Sequence, residues 1–150
     1  MRSFETIAEL QGLVGQEIGL SEWITVTQER IRLFAEATND HQWIHLDADR
    51  AASGPFGTTI AHGFFTLSLL PEMSASAFEV HDTRMGVNYG LNKVRFPAPV
   101  PSGSRLRGHF KLLSYEPLEG GAQLRVQVTM ERAGADKPVC VAESLSRRFV

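Results

Sequence analysis

Ala61-His62-Gly63-Phe64-Phe65-Thr66-Leu67-Ser68-Leu69-Leu70-Pro71-Glu72-Met73 is the stretch whose reading decides the fold. From Phe64 to Leu70 it is apolar nearly all round, and no charge appears before Glu72. A helix of that kind is buried, with a sheet or a partner wrapped about it. It continues to about Phe78. Pro71, which has no N–H, is expected to bend it or to leave one carbonyl free.

Beyond His81-Asp82 the period changes from helical to strand-like. Val87, Tyr89 and Leu91 share one face, whereas Val94 and Phe96 fall on the opposite parity. That flip predicts a β-bulge near Asn92-Lys93. Pro97, Pro99 and Pro101 end the strand. Leu106, Gly108, Phe110 and Leu112 then alternate with Arg105, Arg107, His109 and Lys111, as in a strand with one dry face. Glu119-Gly120-Gly121 turns the chain into a second such strand, Leu124, Val126, Val128 and Met130. Ala133 to Asp136 turns it again, and Val139 to Val150 closes the sheet.

On the N-terminal side, Phe4 to Val14 reads as a short helix ending at Gly15. Glu17 to Val26 reads as one half-buried strand. Thr25 or Thr27 caps a helix that runs to about Thr38, with Ile31, Phe34 and Ala35 on one face. Asn39 to Trp43 has no period and reads as a loop. Asp47 to Ala52 is one helical turn, closed by Ser53-Gly54-Pro55. The order is strand, helix, loop, buried helix and four strands. Helices packed on one face of an antiparallel sheet give an α+β class, and 150 residues are expected to form a single domain, 1–150.

Composition excludes several function classes. A net charge of −2 supplies no basic field for nucleic acid or a membrane surface. The longest apolar stretch is far below the ~20 residues of a membrane span. The one cysteine, Cys140, permits no internal disulfide. No apolar run precedes Leu10, so a cytoplasmic location is the expectation.

The chemistry concentrates between the two helices, where three of the five histidines lie. Asp40 and His45 are five residues apart on the expected loop. A carboxylate and an imidazole converging there suit the handling of one water or one substrate proton. Local backbone capping by Asp40 and a hydrogen-bonded, half-buried His45 account for the same spacing. His62-Gly63 opens the buried helix, whose first amides lack internal partners. A glycine there lets a carbonyl oxygen approach those amides as in an oxyanion hole; the bland alternative is a cap at His62 and relief of crowding at Gly63. A metal site built from His41 and His45, with Asp40, Asp47 and His62 as further ligands, is disfavoured. Gln42, not Glu, follows His41, and the segment does not read as one helix.

Phe34 to Asp47, Ala61-His62-Gly63 and Val94 to Gly103, in that order over nearly the whole chain, resemble the MaoC-like (R)-specific enoyl-CoA hydratases. The likeness is greatest to their short, single-domain actinobacterial and NodN-like branch. The resemblance implies a hot-dog fold, an antiparallel sheet wrapped around one long helix, in a homodimer. It implies that Asp40 and His45 activate the water that adds to C3 of a trans-2-enoyl thioester, while the Gly63 N–H polarises the thioester carbonyl. Trp43, His62 and Arg95 are further candidates for contact with substrate. No metal or redox cofactor is implied; coenzyme A or a phosphopantetheine arm belongs to the substrate. The chain departs from the family at Gln42 and Trp43, where Asn and Pro are usual, at Asn39, usually small, and at Pro71, where some members carry serine. Two rival functions share this fold: a thioesterase, and a non-catalytic acyl-CoA-binding or partner subunit. Thioesterases of the fold place an acid on or beside the central helix, and Phe64 to Leu70 has none. A binder has no need of the Asp40 and His45 pair.

Overall fold

The structure is a computed structural model describing residues 1–150. Strand β1 (Arg2–Phe4) leads into a 3-10 helix (Ile7–Leu13), which Thr6 and Glu9 start with a capping box. The helix expected from Phe4 is therefore shorter, because Arg2 to Phe4 are drawn into parallel pairing with Phe78 to Val80. Gly15, at φ +88°, turns the chain into β2 (Glu17–Leu20) and then β3 (Ile24–Thr25). The single strand expected over Glu17–Val26 is divided at Ser21. There the Ser21 hydroxyl takes the Gly108 N–H at 2.8 Å in place of a backbone carbonyl.

Helix α1 (Gln28–Thr38) is capped by Thr27, whose side chain accepts from the Arg30 N–H, and it buries Ile31 and Ala35. Two short helices follow, α2 (Trp43–Leu46) and α3 (Ala48–Ala52). The central helix comes as two pieces, α4 (Gly63–Ser68) and α5 (Leu70–Ala77), with Leu69 between them. The break falls where Pro71 withholds an N–H, as expected. The chain finishes with β4 (Phe78–Val80), β5 (Met85–Arg95), β6 (Arg105–Leu118), β7 (Gly121–Arg132) and β8 (Cys140–Phe149).

The main sheet runs β2-β6-β7-β8-β5, antiparallel throughout, with β3 also on β6. Strict alternation along β6 and β7 sends Leu106, Phe110, Leu112, Leu124, Val126, Val128 and Met130 inward against Phe65, Leu69, Met73 and Ala77 of the central helix. This is the hot-dog arrangement. The expected bulge is present as a register shift between Leu91 and Val94, and a second shift lies between Asn88 and Gly90. Two features differ from the sequence pattern. Phe64 is 74% exposed, so the central helix is not enclosed on every side. Strand β5 forms the sheet edge and buries none of its residues, leaving Val87, Tyr89 and Leu91 in the open.

The helix lies close enough to β2 to exclude a side chain at Gly19. A Cβ there would stand 2.8 Å from the Ala77 carbonyl oxygen and 3.0 Å from the Ala77 Cβ. Gly19→Ala is expected to destabilise the fold by about 1–3 kcal/mol through forced backbone movement. The check is a lower urea midpoint at unchanged slope. An unchanged midpoint would mean that β2 and α5 are free to separate.

Candidate active site

The site begins where α1 ends. Asn39 holds φ 60° and ψ 26°, the left-handed conformation that asparagine tolerates and that terminates helices. The reversal carries Asp40 off the helix, exposed, with its Oδ1 accepting from the Gln42 N–H at 3.3 Å. His45 lies not on a loop but on α2, and it is buried.

Three bonds hold that single turn in place. The Gln28 side-chain amide donates to the His45 carbonyl at 2.8 Å, and the Thr59 hydroxyl fixes Gln28 at 2.7 Å. The Ile60 N–H donates to the Ile44 carbonyl at 3.0 Å. The imidazole Nδ1 lies 2.7 Å from the Ile60 carbonyl oxygen. A carbonyl only accepts, so Nδ1 carries the proton, and in the neutral ring Nε2 presents a lone pair. Gln28, Thr59 and Ile60 were not legible as site residues, because each acts through a contact distant in sequence.

His62 lies beneath this pair. It is 2% exposed, and its Nε2 donates to the Asp40 carbonyl at 3.0 Å. Its ring stacks on His45 with centroids 3.8 Å apart and planes 24° from parallel. Its Nδ1 is buried without a partner. His62 thus ties the backbone of one candidate residue to the ring of the other.

Gly63 follows as the first residue of α4, and its N–H donates to no backbone carbonyl. A Cβ on Gly63 would meet the Phe96 ring at 2.9 Å, so glycine is what lets Phe96 lie against the start of the helix. His45, Gly63, Thr66 and Phe96 line a cavity of about 370 Å³, walled largely by apolar residues. Asp40, His62, Trp43 and Arg95 are not on its wall. The Trp43 indole lies under the Arg50 guanidinium, 4.1 Å from centroid to carbon, and against Gly54. Arg95 is exposed and bonds the Val94 carbonyl at 2.8 Å.

Asp40, His45 and His62 each offer one ligand-type atom, all within 4.8 Å of one another. The two rings are nearly parallel, so their in-plane lone pairs run side by side instead of converging on one tetrahedral ion. One water bridging the carboxylate and the His45 Nε2 fits the spacing better. Burial pushes the His45 pKa below the ordinary histidine value; the Ile60 carbonyl opposes that shift, the neighbouring His62 adds to it and Asp40 opposes it. The ring is therefore a neutral base near neutral pH.

Against known proteins, the MaoC like domain matches residues 9–136. The 3-hydroxyacyl-thioester dehydratase Z of Mycobacterium tuberculosis (strain ATCC 25618 / H37Rv) is 55% identical over 148 residues, 98% of each chain. Nodulation protein N of Rhizobium leguminosarum bv. viciae is 48% identical over 141 residues, covering 91% of this chain and 87% of its own. Among solved structures, the R-hydratase PhaJ1 of Pseudomonas aeruginosa, in its unliganded form, superposes with a TM-score of 0.74 at 25% identity. It covers 97% of this chain and 86% of its own.

His45 is expected to titrate below the ordinary ~6.5 of histidine, read by its imidazole NMR shifts. The sign for stability follows. As pH falls through ~6.5 the unfolded chain takes a proton that folded His45 refuses, so stability drops until the folded pKa is reached. His62→Gln removes one cause of the depression, and the His45 titration should move upward. An unmoved midpoint would show that the stacked ring has no influence on its neighbour.

Proposed function

The chain belongs to the MaoC-like dehydratase family, and on that footing we propose how its own residues perform the reaction. It is an (R)-specific enoyl-thioester hydratase: it adds water to a trans-2-enoyl thioester and, in reverse, dehydrates the (R)-3-hydroxyacyl thioester. One observation carries the assignment of residues. Asp40 and His45 bring their polar atoms within 4.8 Å of one another, with the His45 tautomer set by the Ile60 carbonyl and His45 on the wall of the cavity that Gly63 also lines.

Water held between the Asp40 carboxylate and the His45 Nε2 gives up a proton to the pair as its oxygen bonds to C3. The electrons of the double bond move toward the thioester carbonyl, whose oxygen is met by the Gly63 N–H. A proton returned from the pair to C2 completes the addition, and the reverse path expels water. His62 is a positioning residue in this scheme, holding the Asp40 main chain and the face of His45. The scheme employs neither a metal nor a redox cofactor; coenzyme A or phosphopantetheine enters as part of the substrate. Fatty acyl metabolism in the cytoplasm is the setting we propose. No helix is long and apolar enough to cross a membrane.

We also propose a homodimer formed through β5. An eleven-residue edge strand with Met85, Val87, Tyr89 and Leu91 exposed is one that folded proteins cover. The paired edge would extend the sheet from one copy into the next.

Asp40→Ala and His45→Ala should each lower hydration of crotonyl-CoA by ~100-fold or more, the scale for positioned acid–base groups. Loss of enoyl absorbance reads the rate, and chiral analysis of the product reads the C3 configuration. Near-normal turnover in either variant removes that residue from the mechanism. Sedimentation should give twice the mass of one chain, and Tyr89→Glu should give one. A monomeric wild type would overturn the dimer.

A further inference from the structure

The largest cavity of the molecule is not the one beside His45. At about 480 Å³ it lies at the far end of the central helix, between α5 and strands β5 and β8. A third cavity of about 410 Å³ lies between the two. It shares Leu70, Pro71, Asn88 and Ser144 with the large one. It shares no residue with the His45 cavity, but along β5 and its continuation the walls run in order from Phe96 through Leu91 and Gly90 to Asn88 and Val87. The three therefore follow one seam, with α4 and α5 on one side and β5 and the segment after it on the other.

The seam changes character along its length. Around Phe96 to Val100 its wall is apolar. At the far end the floor is still apolar, with Phe78, Phe110 and Val128, but the sides carry Ser144, Ser146, Thr83 and Arg148. Two of these lack partners. Thr83 Oγ1 is buried and bonds to nothing. Arg148 joins no ion pair. Its guanidinium carbon lies 4.9 Å from the Phe78 ring centroid. Stacking of that kind satisfies the face of a guanidinium and leaves its in-plane N–H donors free. Burial lowers the Arg148 pKa, yet an arginine stays charged across the working range of pH. Glu79, the other charged residue of this wall, is engaged elsewhere, accepting from the Ser3 hydroxyl at 2.7 Å with His81 at 3.7 Å.

A charged fork against an aromatic ring, at the end of a channel with an apolar floor, fits an apolar chain that ends in an acid. From the hydratase reading, on which this depends, the thioester carbonyl lies at Gly63. The helix from there to Phe78 rises roughly 20 Å at about 1.5 Å per residue, the reach of a long acyl chain. We infer that the seam takes long-chain trans-2-enoyl thioesters bearing a carboxylate at the far end of the chain, with Arg148 as the residue that binds it. Arg148 is thereby a specificity residue and takes no part in the chemistry at C3.

The test compares trans-2-hexadecenoyl-CoA with the same chain carrying a terminal carboxylate, by kcat/KM, in wild type, Arg148→Met and Arg148→Lys. Wild type should favour the carboxylate form by about tenfold or more, the scale of a charge-assisted hydrogen bond. Arg148→Met should lose that preference, and Arg148→Lys should keep part of it. Equal or slower turnover of the carboxylate form by wild type overturns the inference whether or not the variants fold. So does an unchanged preference in Arg148→Met. Crotonyl-CoA, too short to reach Arg148, separates the two readings. If wild type hydrates it without favouring the carboxylate chain, this inference alone fails. If wild type hydrates none of the three, the hydratase reading fails and takes the inference with it.

Discussion

The hydrogen bond from His45 Nδ1 to the Ile60 carbonyl, 2.7 Å long, is the constraint on which the site depends. It joins two segments fifteen residues apart, and both ends are pinned by other contacts. Ile60 is bridged to Pro101, while α2 is tied to α1 through Gln28. A buried acceptor left without its donor costs about 1–3 kcal/mol, so the imidazole is not free to rotate away. That single bond fixes the tautomer and the direction of the Nε2 lone pair. The remaining contacts secure the same arrangement from below. His62 fills the space under the ring and grips the Asp40 carbonyl, and helix α4 starts at the very next residue. Placing His45 therefore places the start of the central helix as well.

Period made the sheet and the central helix legible. Leu106 to Leu112 and Leu124 to Met130 alternate with polar neighbours, and both became strands with one dry face, because a two-residue repeat has only one way to bury its apolar half. The parity flip after Leu91 foretold the bulge for the same reason. Where reading failed, a non-local partner had intervened. Ser21 splits a strand because its hydroxyl meets the Gly108 N–H, and nothing around Ser21 announces Gly108. Phe64 looks as apolar as Phe65, yet it faces outward, since one turn of a helix cannot direct both rings into the same core. The Asp40 and His45 pair was visible as two residue types in a suggestive spacing. Its geometry was not, because Gln28, Thr59 and Ile60 enter from other segments. Trp43, a candidate for substrate contact by its position next to Gln42, instead has its ring claimed by Arg50 and Gly54.

Pro71 links the site to the rest of the seam. An unbroken helix from Gly63 to Ala77 would run as one straight rod, whereas the break at Leu69 allows its two halves to meet the sheet independently. The first half brings Gly63 to Phe96. The second packs Met73 and Ala77 on β6 and β2 and leaves Pro71 and Ser74 facing the cavities. Loss of one helical hydrogen bond is a modest cost beside the apolar area that the second half buries.

The exposed edge of β5 bears on the same seam. Val87, Asn88 and Leu91 contribute to the cavities between helix and sheet and also belong to the uncovered strand. A second copy paired along β5 would thus close the side of the channel that a single chain leaves open. Pairing through the backbone would still leave Arg148 its unpaired donors, because its side chain projects from β8, one strand in from the edge. The two copies would then share a wall without sharing the group that reads the chain end. Selection by length and by terminal charge would remain a property of each chain, while exclusion of water from the channel would be a property of the pair.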